Sequence, residues 1–221
     1  MTSANVVGYQ EIETQDGFTY VTPTFEKVDG SEPTFGDLVP AGDDAGWGGT
    51  EIIQTFDTED GLAGYYVFYN EGMGYGPTGW YDEEQNCVND LPIGGKGIGM
   101  IFESAACPLR FCGAVGQGEQ DLSGIQSGLT YVGNCTPIDH DIQDFKVTGD
   151  GAGWGGTEII QTFDEGGGLV DYLVYWDEGM GYGDTGWYNE SNERVELPVP
   201  AGRAFIFESD GSFGLQLPAS L

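Results

Sequence analysis

Short runs rich in Ile, Val, Tyr and Phe recur along the chain, each bounded by Gly, Asp, Asn or Pro. TEIIQTF (Thr50–Phe56), YYVFYN (Tyr65–Asn70), GIGMIFES (Gly97–Ser104), DYLVYW (Asp171–Trp176) and RAFIFES (Arg203–Ser209) are the clearest. β-branched and aromatic residues suit a pleated, half-buried surface, so these runs predict strands. No window of helical length keeps an apolar stripe with a 3.6-residue period. LPIGGKG (Leu91–Gly97) and LPVPAGR (Leu197–Arg203) carry turn residues and join a GWY strand to an IFES strand.

The pattern is also written twice. AGWGGTEIIQTFD runs from Ala45 to Asp57 and again, unchanged, from Ala152 to Asp164. EGMGYG at Glu71–Gly76 returns at Glu178–Gly183, TGWY at Thr78–Tyr81 returns at Thr185–Tyr188, and IFES at Ile101–Ser104 returns at Ile206–Ser209. Weaker echoes pair VVGYQ at Val6 with AVGQG at Ala114, GFTYV at Gly17 with GLTYV at Gly128, and FGDL at Phe35 with IQDF at Ile142. A period this long marks a repeated domain rather than a solenoid repeat. The expectation is an all-β chain of two homologous units in tandem, residues 1–113 and 114–221, each a small β-sandwich or barrel of about six or seven strands.

The start SANVVGYQ, followed by GFTYV, a GDL segment, a strand ending QTFD, then GWY and a turn before FIFES, resembles an uncharacterised family of secreted two-repeat β proteins. These proteins occur in Verrucomicrobia, Lentisphaerae and Kiritimatiella-type bacteria. The resemblance covers almost the whole chain. It implies secretion and a duplicated all-β architecture, and it implies no enzyme activity.

Charge narrows the partners. The 37 acidic residues outnumber 6 basic ones, giving a formal net charge of −31. Nucleic acid and anionic membranes both require clustered Lys and Arg, and here the six cations are scattered, so neither is expected as a partner. A composition this acidic is compatible with disorder, but 29 aromatic residues and the recurrent apolar runs supply a core. No apolar stretch reaches the ~18 residues of a membrane span, so direct membrane insertion is not expected. The chain begins without a signal peptide, and secretion or a place at the cell surface is the expected location. Cys87, Cys107, Cys112 and Cys135 form no CxxC pair and meet a single histidine, His140. Two disulfides are therefore expected rather than a zinc site, with Cys112 opposite Cys135 if VGQ and GLTYV form a hairpin, and Cys87 left for Cys107. Asn134 and Asn189 match the glycosylation acceptor pattern, one that chance supplies often.

Several motifs bear on chemistry. GYGPTG (Gly74–Gly79) and GYGDTG (Gly181–Gly186) match GxGxxG, but a strand follows each and acids lie close by, so they read as turns. Carboxylate pairs of the kind glycosidases use arise freely among 37 acids. Acids repeated in both units favour structure or cation binding over catalysis, and no enzyme is expected. Acidic, Gly-rich loops offer hard oxygen ligands, which nominates Asp43, Asp44, Asp57, Glu71, Asp150, Asp164 and Glu178 for calcium. Trp47, Trp80 and Tyr81, with Trp154, Trp187 and Tyr188, are candidates for a flat sugar-binding platform. A third expectation concerns copies of the chain itself. Asn5, Val6, Val7, Gly8 and Tyr9 look like a strand with no preceding unit, and could dock near residues 205–221 of the next molecule to form filaments. A self-assembling extracellular protein, a non-catalytic carbohydrate-binding module and a monomeric calcium-binding surface protein are the three functions this leaves.

Overall fold

The computed structural model describes residues 7–57, 61–116, 119–122, 125–211 and 213–218. It is all-β, with 44% strand against 6% helical, and the larger sheets follow one another in a propeller-like ring of four. Among the described residues the helical turns are four three-residue 3-10 segments.

In chain order the strands of the first half are β1 (Val7–Ile12), β2 (Asp16–Val21), β3 (Val39–Pro40), β4 (Ile52–Phe56), β5 (Leu62–Tyr69), β6 (Gly79–Tyr81), β7 (Met100–Ala105) and β8 (Leu109–Ala114). Those of the second half are β9 (Gln120–Asp121), β10 (Gly128–Gly133), β11 (His140–Asp141), β12 (Lys146–Thr148), β13 (Ile159–Phe163), β14 (Leu169–Trp176), β15 (Gly186–Tyr188), β16 (Pro198–Val199), β17 (Ala204–Ser209) and β18 (Gly214–Leu217). The first half forms a five-stranded antiparallel sheet ordered β2-β7-β4-β5-β6 and a three-stranded sheet ordered β1-β8-β3. The second half repeats both orders, as β10-β17-β13-β14-β15 and β9-β18-β12. Its small pair β11-β16 answers a single bridge, Thr34 to Pro92, in the first half. The cut after residue 113 falls just inside β8, which ends at Ala114.

Alternation explains why these sheets layer. Leu109, Phe111 and Gly113 of β8 are buried, while Arg110 and Cys112 between them are exposed. Burying one face of each strand this way is the main source of stability in a half-solvated sheet. Ile12, Leu109 and Phe111 from the three-stranded sheet share a core with Val21, Ile53, Phe68 and Phe102 from the five-stranded one. Leu122, Val147, Leu215 and Leu217 meet Val132, Ile160, Leu173 and Phe207 in the same manner in the second half.

Register corrects one of the echoes. Gln10, Glu11 and Ile12 oppose Phe111, Arg110 and Leu109, and Gln120 and Asp121 oppose Leu217 and Gln216. The true counterpart of the QEI in β1 is therefore QDL at Gln120–Leu122, not the AVGQG at Ala114. Only two residues of β9 pair, which leaves the strand too short to announce itself.

The two halves are joined at matching edges. Strand β2 is the edge of its sheet, and the Thr22 N–H beyond it donates to Gly202 O at 2.9 Å; at the last residue of β10, the Gly133 N–H donates to Gly97 O at 3.0 Å. Each half thus covers the open edge of the other, which removes a template for uncontrolled strand pairing. Tyr20 stacks on Phe163 and on Tyr131, and Tyr131 on Phe56, with ring centroids 5.4, 6.4 and 4.1 Å apart.

Two expectations fail here. Val7–Tyr9 are not a free strand: they pair with Cys112–Ala114 of the same chain, while Asn5 and Val6 lie outside the described residues. Near the other terminus, β17 lies between β10 and β13, and β18 between β12 and β9, so neither offers an open edge. The chain's own core supplies the partners that docking would have needed. The four cysteines are also free thiols. Strands β9 and β10 pair with β18 and β17 rather than with each other, so nothing brings Cys112 opposite Cys135. Cys112 points outward from β8 and Cys135 is buried.

Candidate functional site

The duplicated thirteen residues build a clamp. Gly46 adopts φ 77°, and a Cβ there would sit 2.6 Å from Asn70 N; Gly153 stands likewise against Asp177 N. Only glycine allows the loop this close to the strand end. Behind it, the buried Glu51 carboxylate accepts the Gly46 N–H at 3.0 Å and the Thr50 hydroxyl at 2.9 Å. Glu158 repeats this with Gly153 and Thr157 at 3.2 and 3.0 Å. Charge-assisted bonds to backbone are the condition on which a carboxylate is buried.

That clamp presents Trp47 and Trp154 to solvent. They are 51% and 57% exposed, large values for indoles on ordered loops. Each ring lies against a glycine of the next loop, Gly72 or Gly179, where a side chain would collide with it. Beside them Tyr75 stacks on Tyr69 at 4.2 Å, and Tyr182 on Trp176 at 4.7 Å. Tyr75 and Tyr182 are themselves partly open to solvent, each 42% exposed. Each half therefore exposes two rings on loops at the same end of its sheet, Trp47 and Tyr75 in the first and Trp154 and Tyr182 in the second. Strands β6 and β15, which follow these loops, are the sheet edges opposite β2 and β10.

The other four members of the expected platform are elsewhere. Trp80 and Trp187 are fully buried, each donating its Nε1–H at 2.7 Å, to Leu38 O and Phe145 O. Tyr81 and Tyr188 are buried too, and their hydroxyls donate to Pro77 O and Asp184 O. An indole satisfies its one polar group and packs its rings in the core, so the GWY segments are structural.

The nominated calcium ligands are spread over three turns in each half. Asp43, Asp44 and Asp150 are exposed before the GWGG loops, and Glu71 and Glu178 are exposed in 3-10 turns. Asp57 Oδ1 accepts the Gly61 N–H, and Asp164 Oδ1 accepts those of Gly166 and Gly168, closing hairpin turns. Among the described residues no three of His, Cys, Asp and Glu converge. His140 is buried, with Nδ1 3.3 Å from Asp144 Oδ2. Asn134 is buried as well, its amide donating to Ile138 O and Val199 O, which leaves it out of reach of a glycan-transferring enzyme in the folded chain.

Sequence reasoning missed a large cleft. A cleft of about 580 Å³ is lined by residues of both halves, among them Phe18, Tyr20, Phe163, Pro198, Pro200 and Arg203. Its residues come from segments as far apart as Gln15 and Phe205. The Phe18 N–H donates to Glu165 O at 3.1 Å and pins one wall. Arg203 Nη2 donates to Glu13 O at 2.9 Å, and burial lowers the pKa of its guanidinium below the ordinary arginine value. No family model, no curated protein and no solved structure matches the chain.

Proposed function

We propose that this protein binds carbohydrate without turning it over, through two equivalent aromatic sites formed by Trp47 with Tyr75 and by Trp154 with Tyr182. The observation that carries the reading is the exposure of Trp47 and Trp154, identical positions held open by identical clamps. Large aromatic rings held exposed at fixed positions support a binding role. A flat ring suits the apolar face of a sugar, and the acids and backbone groups around it suit the hydroxyls. Duplication gives bivalency, so that a repeating polymer engages both sites and gains avidity without new contacts. The acidic surface favours solubility.

A polysaccharide panel tests this with the full chain, Trp47→Ala, Trp154→Ala and the double variant. Each single variant is expected to weaken binding of a long polymer severalfold, and the double variant to abolish it. Binding to no glycan, or binding unchanged in the double variant, overturns the reading. Sedimentation of the same samples with and without calcium reports directly on whether copies of the chain associate.

A further inference from the structure

We infer that the cleft between the halves is a second ligand site, one that takes a hexuronate residue by its carboxylate. The inference stands apart from the aromatic patches and does not depend on them.

Arg203 carries the argument. In a chain with six basic residues, this one is half-buried and lines the cleft. Among the described residues no carboxylate lies within ion-pair distance of it, and its described hydrogen bond is to the backbone oxygen of Glu13. A guanidinium taken partly out of water without an anion is a net cost to the fold. Its planar fork matches a carboxylate bidentately, and such a partner would offset that cost.

The remaining lining chooses the rest of the ligand. Phe18, the stacked pair of Tyr20 and Phe163, and Pro198 and Pro200 make it aromatic and apolar, which suits the carbon skeleton of a sugar ring. The acids nearby do not cancel Arg203. Asp171 Oδ2 accepts the Thr162 hydroxyl at 2.7 Å, and Asp164 is bonded to its own turn. Asp164 and Glu165 are exposed members of the lining, and carboxylates accept hydroxyl protons of a polyol. An aromatic acid without hydroxyls would leave them unused. A cavity of this size falls within the range of small-molecule sites.

The repeat supplies an internal control. Val21 bridges to Arg203, and its counterpart Val132 bridges to Ile98, so Ile98 stands where Arg203 would be. By the same strand register Leu129 replaces Phe18 and Gly64 replaces Asp171. Residues that the fold accepts at one site are thus exchanged at the other for a cation, a ring and an acid. A purely structural cleft has no need for that set.

Calorimetric titration of the full chain with D-glucuronate and with D-glucose, in about 0.15 M salt so that the distant negative charge is screened, tests the proposal. Glucuronate is expected to bind at least about tenfold more tightly than glucose, as one charge-assisted pair provides. Arg203→Ile should lose that preference, and Phe18→Leu should weaken both sugars; each imports the residue already present at the matching position, so folding is expected to survive. Trp47→Ala with Trp154→Ala should leave glucuronate binding unchanged, which separates this site from the patches. Equal binding of the two sugars by the unaltered chain, no binding of glucuronate at millimolar concentration, or undiminished binding by Arg203→Ile each overturns it. The contrast between sugars needs no variant and stands even if one fails to fold.

Discussion

The two halves of this molecule use the same sheet orders, the same clamps and the same buried Trp, and yet they differ around the cleft where they meet. Trp80 and Trp187, Glu51 and Glu158, and Gly46 and Gly153 occupy equivalent places with equivalent partners. Arg203 and Ile98, or Asp171 and Gly64, occupy equivalent places and share no chemistry. Identity between the halves follows what the fold requires twice. Difference follows what only one half has to do.

The comparison breaks first, and with the largest effect, at the buried tryptophans. Trp80 meets Phe68 and Phe102 edge-on at 5.2 and 6.3 Å, and Trp187 meets Tyr175 and Phe207 at 5.0 and 6.4 Å. Replacing a core Trp by Ala costs about 3–5 kcal/mol, and here an indole hydrogen bond goes with it. Trp80→Ala and Trp187→Ala should lower denaturant stability by similar amounts. Because each half covers the other's strand edge, both variants should unfold in one transition. Two separate transitions, with only the altered half lost early, would show the halves to be independent.

How much of this was legible in the chain depends on range. Strands β4 and β13, β7 and β17, and the GWY strands were readable because local alternation and turn residues define them. The duplicate sheet order followed from the repeated text. The burial of Trp80 was not readable: a three-residue strand has no period, so GWY in a core and GWY on a platform look alike. The pairing of β1 with β8 spans some hundred residues and leaves no local mark, which is why a strand at the start of the chain looked unpartnered. The cleft was invisible for the same reason, although one signal existed. Setting KGIGMIFES against GRAFIFES places Arg203 on Ile98, and that single exchange of a cation for an apolar residue within a repeated segment points to the site.

A second test uses the buried thiol of the second half. Desolvation raises the Cys135 thiol from 9.0 to about 11. The folded state therefore keeps its proton where the unfolded chain releases it. Stability contributed this way is full below pH 9 and falls as pH rises from 9 through about 11, by about 2–3 kcal/mol for two pK units. Urea midpoints of the native chain should drop over that window, and Cys135→Val should remove part of the drop. A slope left unchanged by the substitution would assign the alkaline loss to other groups. Thiol labelling of the folded protein at neutral pH gives a companion reading: Cys87 and Cys112 are exposed and react, while Cys135 stays protected.

The smallest expected effect sharpens the comparison most, because the halves here share a role and differ by one charge. Asn70 caps the 3-10 turn Glu71–Met73 by accepting the Gly72 N–H at 3.0 Å. Asp177 caps Glu178–Met180 by accepting the Gly179 N–H at 2.9 Å. Both turns bear on the glycine that supports a tryptophan, Trp47 or Trp154. Losing a cap costs roughly 1 kcal/mol, so Asn70→Ala and Asp177→Ala should destabilise alike. Charge adds two opposing contributions at Asp177. A carboxylate accepts the N–H more strongly than an amide does, but it also adds to the repulsion within a chain of net charge −31. These nearly offset each other on an exposed turn, so Asp177→Asn and Asn70→Asp should each stay within about 0.5 kcal/mol of the native chain. Repulsion is screened by salt more than the short bond is. Raising the salt should therefore shift Asn70→Asp toward greater stability relative to the native chain. If the swaps cost as much as the alanines, charge rather than cap geometry holds these loops, and the two halves are less alike than their shared text implies.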